Sequence, residues 1–503
     1  MSRRRLAETV RTLAVVGPVS RALTRSPSLL AANPASRPVS PDDTSFFDLF
    51  RHATVPSTCS FFPSSFWKAD VMQLAHIEPA IWHAAVTLGT LHQRSEALAR
   101  RDEDASARLS RRAAAHYGKA MALAKGLDSP IKLVTLSIAL VAVTGMMDRL
   151  SEMQMHVMAG LKLVAGDETH SAVIRCLEGA LMRADLQAMT FSDSKSPYPY
   201  EESASTYDID TFLSKPVAQE SDLSYEELTS ELFGLIRGYF LLDDGLLAGK
   251  LTYGPWVTRM DGFMRRLARW EERIDRYEAS RPSQASEEEQ MNQLSLRLYH
   301  VTLRAMLRAG PFGLETRYDA LLGHYEYAVR LAATLQSRTR ALAVTDRALS
   351  LSLEPGVIIP LWAVSHRCRH TRIRHAALRI LEDANRVEAI WQSDATSRVL
   401  GTLVSVEEES LGDVLGGIGP WTPPLIDAAA FPVIPWSAWS RPGFQIPCTA
   451  SWDEVPLIPE GERVKDLLGK TVLEERRVEV RLLMTPVDPD EPYGQPRDLV
   501  VYF

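Results

Sequence analysis

Clustered cysteines are missing from this sequence. The 503 residues include four cysteines, Cys59, Cys176, Cys368 and Cys448, and none has another nearby. A zinc ribbon or zinc cluster needs thiolates a few residues apart, so that short loops can wrap one ion. These four cannot build one, and their scatter fits a reducing compartment with inert thiols. Long apolar runs are missing as well. The best, 131–147, is interrupted by Lys132 and falls short of the ~20 residues a helical span requires, so it reads as a buried helix. Strong charge of one sign is absent. A net charge of −7 leaves the chain as a whole without the basic surface that phosphate binding demands. There is no G-x-S-x-G elbow, no dinucleotide G-x-G-x-x-G, no kinase signature and no repeat that would make a solenoid.

What is present is an ordinary globular composition, 46% hydrophobic and 24% charged, enough for a real core without disulfide or metal staples. The start is different. Arg3, Arg4, Arg5, Arg11, Arg21, Arg25 and Arg37 face one acid, Glu8, amid Ser, Ala and Pro. This predicts a disordered basic arm over 1–44; a nuclear-import patch and a mitochondrial transit peptide are the other readings. The core opens at Phe46, Phe47 and Phe50, and a second aromatic cluster, Phe61, Phe62, Phe66 and Trp67, follows. Pro79 starts a helix in which Ile81, Ala84, Ala85, Leu88, Leu91 and Leu98 recur at helical spacing. Further helices are predicted over 105–125, 130–147, 153–165 (capped by Gly166), 171–190, 225–247, 256–278, 290–308, 316–338, 360–391 and 395–412. Residues 192–222 read as a loop. Beyond Gly416 seven prolines, from Pro420 to Pro447, preclude long helices. Val478, Val480 and Leu482 then alternate with charge, and 499–503 is a candidate partner strand. The expected fold is mainly α: a multi-helix globular domain over 45–415, then a Pro-rich segment, 416–503, ending in a small β-hairpin.

Few residues suggest chemistry. His366 and His370 flank Cys368 at metal-ligand spacing if helical, but the acid that would serve as base is missing and Arg367 and Arg369 disfavour a cation. From Arg367 to Arg379 there are five arginines, a possible phosphate patch, or a helix neutralised by acids from elsewhere. Asp243-Asp244 resembles the start of the magnesium-binding box of terpene cyclases, but Leu247 stands where a third acid belongs. Gly245 to Gly249-Lys250 resembles a phosphate loop that is one residue short, with Leu251 in place of the magnesium-binding hydroxyl. Both are set aside. Glu287, Glu288 and Glu289 read as a solvated first turn. His76, His83, His92 and His156 form no constellation in sequence. No catalytic residue, metal site or cofactor is assigned.

Four segments, in order, do match something. Phe46-Phe47-Asp48-Leu49-Phe50-Arg51 leads through Phe61-Phe62 and Phe66-Trp67 to His76, Glu78-Pro79-Ala80, Trp82-His83-Ala84-Ala85 and Leu88-Gly89. His156 with Gly160-Leu161 and Leu163 follows, then Asp185 to Ala188 with Phe191 and Pro197 to Tyr200. The last block runs from Pro360-Leu361-Trp362 through Cys368-Arg369, Arg374, Ala376 to Leu378, Leu381 and Glu388 to Trp391, ending at Glu407 to Glu409. Together, over about 45–412, these resemble the regulatory region of fungal binuclear zinc-cluster transcription factors, the fungal-specific transcription factor domain. The resemblance implies an all-α body that in the family lies downstream of a six-cysteine cluster and regulates activity through contacts. The cluster has no counterpart here, so no DNA-contacting residue carries over. The chain then reads as a clusterless relative, a gene model truncated upstream of Met1, or a domain put to another use. The leading expectation is a nuclear regulator of transcription, with the cytoplasm as alternative. It would work by protein or small-molecule contact, without membrane and without direct DNA binding of its own. The rival is an enzyme or accessory protein of fungal secondary metabolism; enzyme activity stays open, with none the favoured expectation.

Overall fold

A computed structural model describes residues 40–166, 172–191, 193–214, 223–281, 286–342, 349–412, 418–426, 433–472, 475, 477–486, 488 and 491–502. The fold is mainly α with two small three-stranded sheets. The chain divides into two compact units: Met1–Cys59 with Ser64–Asp185, and Ser60–Pro63 with Leu186–Phe503. The body expected over 45–415 spans both.

The first unit is helical. Helix α1 (Pro41–Leu49) begins inside the stretch read as unstructured arm. The reason is local: Pro41 occupies the first helical position and Asp42 and Asp43 face the positive end of the helix. Residues 1–39 lie outside the described set. A π turn, α2 (Val55–Thr58), a second π turn and α3 (Val71–Ile77) lead to the long pair α4 (Pro79–Ala99) and α5 (Glu103–Leu123). Of the apolar series read in α4, the members from Ile81 to Leu91 are buried, and Leu98 is exposed. Gly89 lets α1 and α4 touch, since a Cβ there would lie 2.0 Å from the Phe46 carbonyl oxygen. Helices α6 (Pro130–Met146) and α7 (Leu150–Ala165) form the expected hairpin. From Leu133 to Met146 every residue of α6 is buried, which explains the unbroken apolar run. Helix α8 (Ala172–Thr190) passes into the second unit at Leu186.

In the second unit the expected loop 192–222 contains two short helices, α9 (Tyr200–Ser205) and α10 (Ile209–Ser214). They stand because neighbours hold them: the buried Arg237 donates to Ser203 Oγ at 2.6 Å, and Arg259 makes two bonds to Asp210 at 3.0 and 2.8 Å. Helices α11 (Tyr225–Leu247), α12 (Tyr253–Ala279), α13 (Glu287–Ala309) and α14 (Leu322–Leu342) follow. Glu287 to Glu289 are the first turn of α13, where Ser286 and Glu289 form a capping box.

The helical block read over 360–391 holds two helices and a strand pair. Helix α15 (Ile358–Arg367) ends before an extended Cys368–His370, and α16 (Thr371–Ala384) starts anew. The break turns the fully buried Arg369 toward Glu407, 3.0 Å away on α17 (Ser393–Glu408). Asn385, left-handed at φ 41°, stops α16. Strands β1 (Ser350–Ser352), β2 (Arg386–Glu388) and β3 (Trp391–Gln392) form a small sheet in which β1 and β2 are parallel. They are too short to leave a period in the sequence.

After α17 an irregular Pro-rich strap is held by carboxylates. Asp275 accepts from the backbone N–H of Trp436 and of Ser437 at 2.8 and 2.6 Å, and Glu278 from the Trp436 indole at 3.0 Å. Glu326 accepts from Thr449 N and Ala450 N at 2.7 and 3.0 Å. Asp319 pairs with both ends of the Arg463 guanidinium at 2.8 Å. The terminal element is an antiparallel sheet of β4 (Val464–Val472), β5 (Arg477–Met484) and β6 (Arg497–Tyr502), not a hairpin. The expected β5–β6 pairing is present, whereas β4 gave no alternation because a register shift at Val464/Asp466 disrupts it.

Candidate interaction face

Most residues that drew attention in the sequence are spent on the fold. His366 is buried on α15, with its ring edge-on to Trp362 at 5.0 Å. His370 lies beyond the helix break and meets the Ser451 carbonyl oxygen at 3.0 Å, so the two imidazoles do not share a helical face. Among the described residues no group of three or more His, Cys, Asp or Glu is arranged to hold a metal ion. The arginines from Arg367 to Arg379 are neutralised or capped from elsewhere. Arg367 pairs with Glu315 at 2.9 Å, Arg372 with Glu454 at 2.6 Å, Arg369 and Arg374 share Glu407, and Arg379 donates to the Trp421 carbonyl.

The four histidines singled out in the first unit each have a neighbour. His76 packs against Phe47, His92 bonds Thr54 at 2.8 Å, and His156 meets the Tyr117 hydroxyl at 3.0 Å. His83 is joined to a residue the sequence did not single out. Its Nδ1 lies 3.0 Å from Nδ1 of His116, whose Nε2 lies 3.2 Å from Asp43. If His116 keeps its proton on Nε2 toward Asp43, His83 Nδ1–H is the donor between the two rings.

One flagged motif lies beside something not spent on the fold. Asp243 and Asp244 are on the last turns of α11, followed by the turn Ala248–Thr252 into α12. Burial pushes the Asp243 carboxyl up to about 6, against the Tyr239 hydroxyl and Trp256 indole beside it, which hold it down. Burial also raises Asp244, against the nearby Lys250. The Tyr239 hydroxyl reaches the Met306 carbonyl on α13 at 3.4 Å, and Arg317 and Tyr318 lie close enough to Tyr239 to act on its ionisation. Arg317 in turn donates to the carbonyls of Gly313 and Leu314 at 2.7 and 2.9 Å, fixing a loop whose Gly310 and Gly313 take φ of 66° and 124°. The end of α11 and the start of α12 therefore meet beside the Asp243 carboxyl.

That end of the unit is apolar and exposed. Leu247 is 61% exposed, Tyr253 65% and Val257 42%. Tyr253 stacks on Trp256, centroids 5.9 Å apart, and Met264 continues the exposed series along α12 at 37%. The buried side of the same helix is built from Phe263, Leu267, Trp270 and Ile274, so the outward apolar residues form a second stripe that the core does not need. A contiguous exposed apolar patch marks a contact surface. The sequence reading recovered α12 but not this stripe; its signal was the spacing 253, 257, 260, 264 laid beside the core spacing 263, 267, 270, 274. No family model, no curated protein and no solved structure matches the chain.

Proposed function

We propose that the protein is a regulator of gene expression of the fungal transcription-factor-domain kind. It acts in the nucleus by contact with protein rather than through a zinc cluster of its own. The observation that carries this reading is the row of exposed apolar residues Tyr253, Val257 and Met264 on α12, a surface built for contact rather than for core. The order of the four sequence segments over 45–412 supports the family assignment.

The test is deletion of the gene with transcript and metabolite profiling, followed by complementation with wild type or with Val257→Asp/Met264→Asp. The expected result is a set of changed transcripts that the wild type restores and the variant does not. Unchanged transcripts with an accumulated biosynthetic intermediate would favour an enzyme and sink the regulator.

A further inference from the structure

Trp439 of the strap lies over two histidines from different helices. Its ring meets His300 of α13 at 4.9 Å and His324 of α14 at 5.9 Å, both edge-on, with Tyr327 and Phe444 beside it. Both imidazoles are buried. The strap continues from there across the first turns of α14. A Cβ at Gly323 would lie 3.1 Å from the Ile446 carbonyl oxygen. Glu326 accepts from the backbone of Thr449 and Ala450, and Arg330 donates to Thr449 Oγ1 at 3.0 Å. His324 is thus enclosed by α13, by its own helix and by the strap.

The two histidines differ in what they can do with a proton. His300 Nε2 lies 2.6 Å from Glu271 on α12, a carboxylate that stays beside it wherever the strap goes. His324 has no such acceptor. Its Nε2 is buried without a hydrogen-bond partner among the described residues. The charged groups that act on it, Arg308, His300 and Arg304 of α13, are all cationic or become so. Within 436–447 the strap's one charged side chain is Arg441, which is exposed. A protonated His324 would therefore carry an N–H with nothing to donate to, among charges of its own sign. We propose that His324 is the trigger of an acid-sensitive latch: proton uptake by this imidazole lifts the strap around Trp439 off α13 and α14.

Burial first, and then the three cations, hold His324 down from 6.5 to about 3 in the closed form. The open form takes up the proton that the closed form refuses. Closure is therefore complete above pH 6.5 and is lost as pH falls toward 3. From His324 alone, the ratio of closed to open strap falls up to about thirtyfold between pH 7.5 and pH 5. The carboxylates under the strap do not imitate this. Burial raises Glu271 and Glu326, but His300 and Arg304 on the first, and Cys448, Thr449 and Ala450 on the second, leave both below the ordinary carboxylate value. Both are still ionised at pH 5. Glu278 is raised by burial, against Arg297 and the Trp436 indole, so its protonation favours closure and opposes the latch. Asp275 holds the backbone N–H groups of Trp436 and Ser437 at the strap's other end.

Amide hydrogen exchange of the full chain, read by mass spectrometry and corrected for the intrinsic rate at each pH, follows the open fraction. The strap amides over 434–446 are expected to lose at least about tenfold in protection from pH 7.5 to pH 5. Those of the buried stretch Leu228–Tyr239 of α11, in the same unit, are expected to keep theirs. In His324→Gln, with helicity unchanged by circular dichroism, strap protection should fall by less than about threefold over the same range. Wild-type strap protection that does not change with pH overturns the latch. So does an equal loss in α11, the mark of unfolding of the whole unit. Both are read on the wild type alone and stand even where the variant does not fold. A folded His324→Gln whose strap opens as steeply as the wild type's overturns His324 as the trigger.

Discussion

Replacing Asp243 by Asn should make the protein more stable at neutral pH, although a charge is lost. Burial lifts the folded-state pKa of Asp243 from 3.8 to about 6, so the folded state prefers the protonated carboxyl more than the unfolded chain does. Between those values the folded protein binds more protons, and stability falls as pH rises through that window. The shift is about two units at roughly 1.36 kcal/mol each, which makes the ionised carboxylate cost up to about 3 kcal/mol. The side chain is half-buried, so solvent screening brings the expected gain for Asp243→Asn at pH 7.5 to roughly 1–3 kcal/mol. Among the described residues Asp243 Oδ1 and the Trp256 indole have no hydrogen-bond partner and the Tyr239 hydroxyl donates to the Met306 carbonyl, so Asn gives up little in exchange. The assay is thermal unfolding by circular dichroism of wild type and variant between pH 4 and pH 8. For a domain of a few hundred residues each kcal/mol is worth roughly 2–4 °C. The variant should match the wild type near pH 4 and exceed it progressively up to pH 6, with a constant advantage above. A variant that is less stable at pH 7.5, or whose difference from wild type does not change with pH, refutes the reasoning.

Three further outcomes are expected. Glu407→Gln removes the carboxylate that the fully buried Arg369 and Arg374 share, leaving Arg369 to Glu315 at 3.2 Å and Arg374 to Glu408 at 4.0 Å, and should cost about 3 kcal/mol, read from urea unfolding; a loss below about 1 kcal/mol, the range of an exposed pair, contradicts a buried network. Gly89→Ala places a Cβ on the Phe46 carbonyl oxygen, and overpacking of that kind should cost roughly 1–3 kcal/mol; unchanged thermal unfolding would mean that α1 does not seat on α4. Burial lowers His156 from 6.5 to about 4, so the unfolded chain binds the extra proton. The associated stability is present above pH 6.5 and lost as pH falls toward 4, about 3 kcal/mol in all. His156→Gln should flatten that part of the acid limb in pH-dependent unfolding, and an unaltered acid limb would count against it.

How much of this was legible in the sequence depended on whether the cause was local. Helix α11 was read with its ends as they are, because Ser224 and Glu227 make a capping box and an apolar face follows. The buried run of α6 was read for its unbroken apolarity. Pro41 and Asp42-Asp43 signalled a helix start just as well, but the surrounding Ser-Pro stretch concealed it. Other features had no local cause. Nothing near Cys368 says that α15 must stop; Arg369 turns inward because Glu407, thirty-eight residues on, and Glu315 wait for it. The short helices α9 and α10 depend on Arg237 and Arg259 from later in the chain. The pairing of His83 with His116 needed α4 and α5 side by side. The stripe of α12 was open to periodicity, but it becomes visible as surface only once Phe263, Leu267 and Trp270 are known to line the core on the adjoining face.

Cys448 on the strap looks like the obvious handle for attaching a probe, because it is exposed while Cys59 and Cys368 are buried. Its Sγ donates to Glu326 at 2.9 Å, and burial of the sulfur together with that carboxylate pushes the thiol up to about 12. Thiol-selective reagents attack through the thiolate, so Cys448 will label slowly at neutral pH despite being within reach. Its alkylation rate is then a clock for the strap: the sulfur becomes an ordinary thiol only in those moments when 448–450 lifts off Glu326.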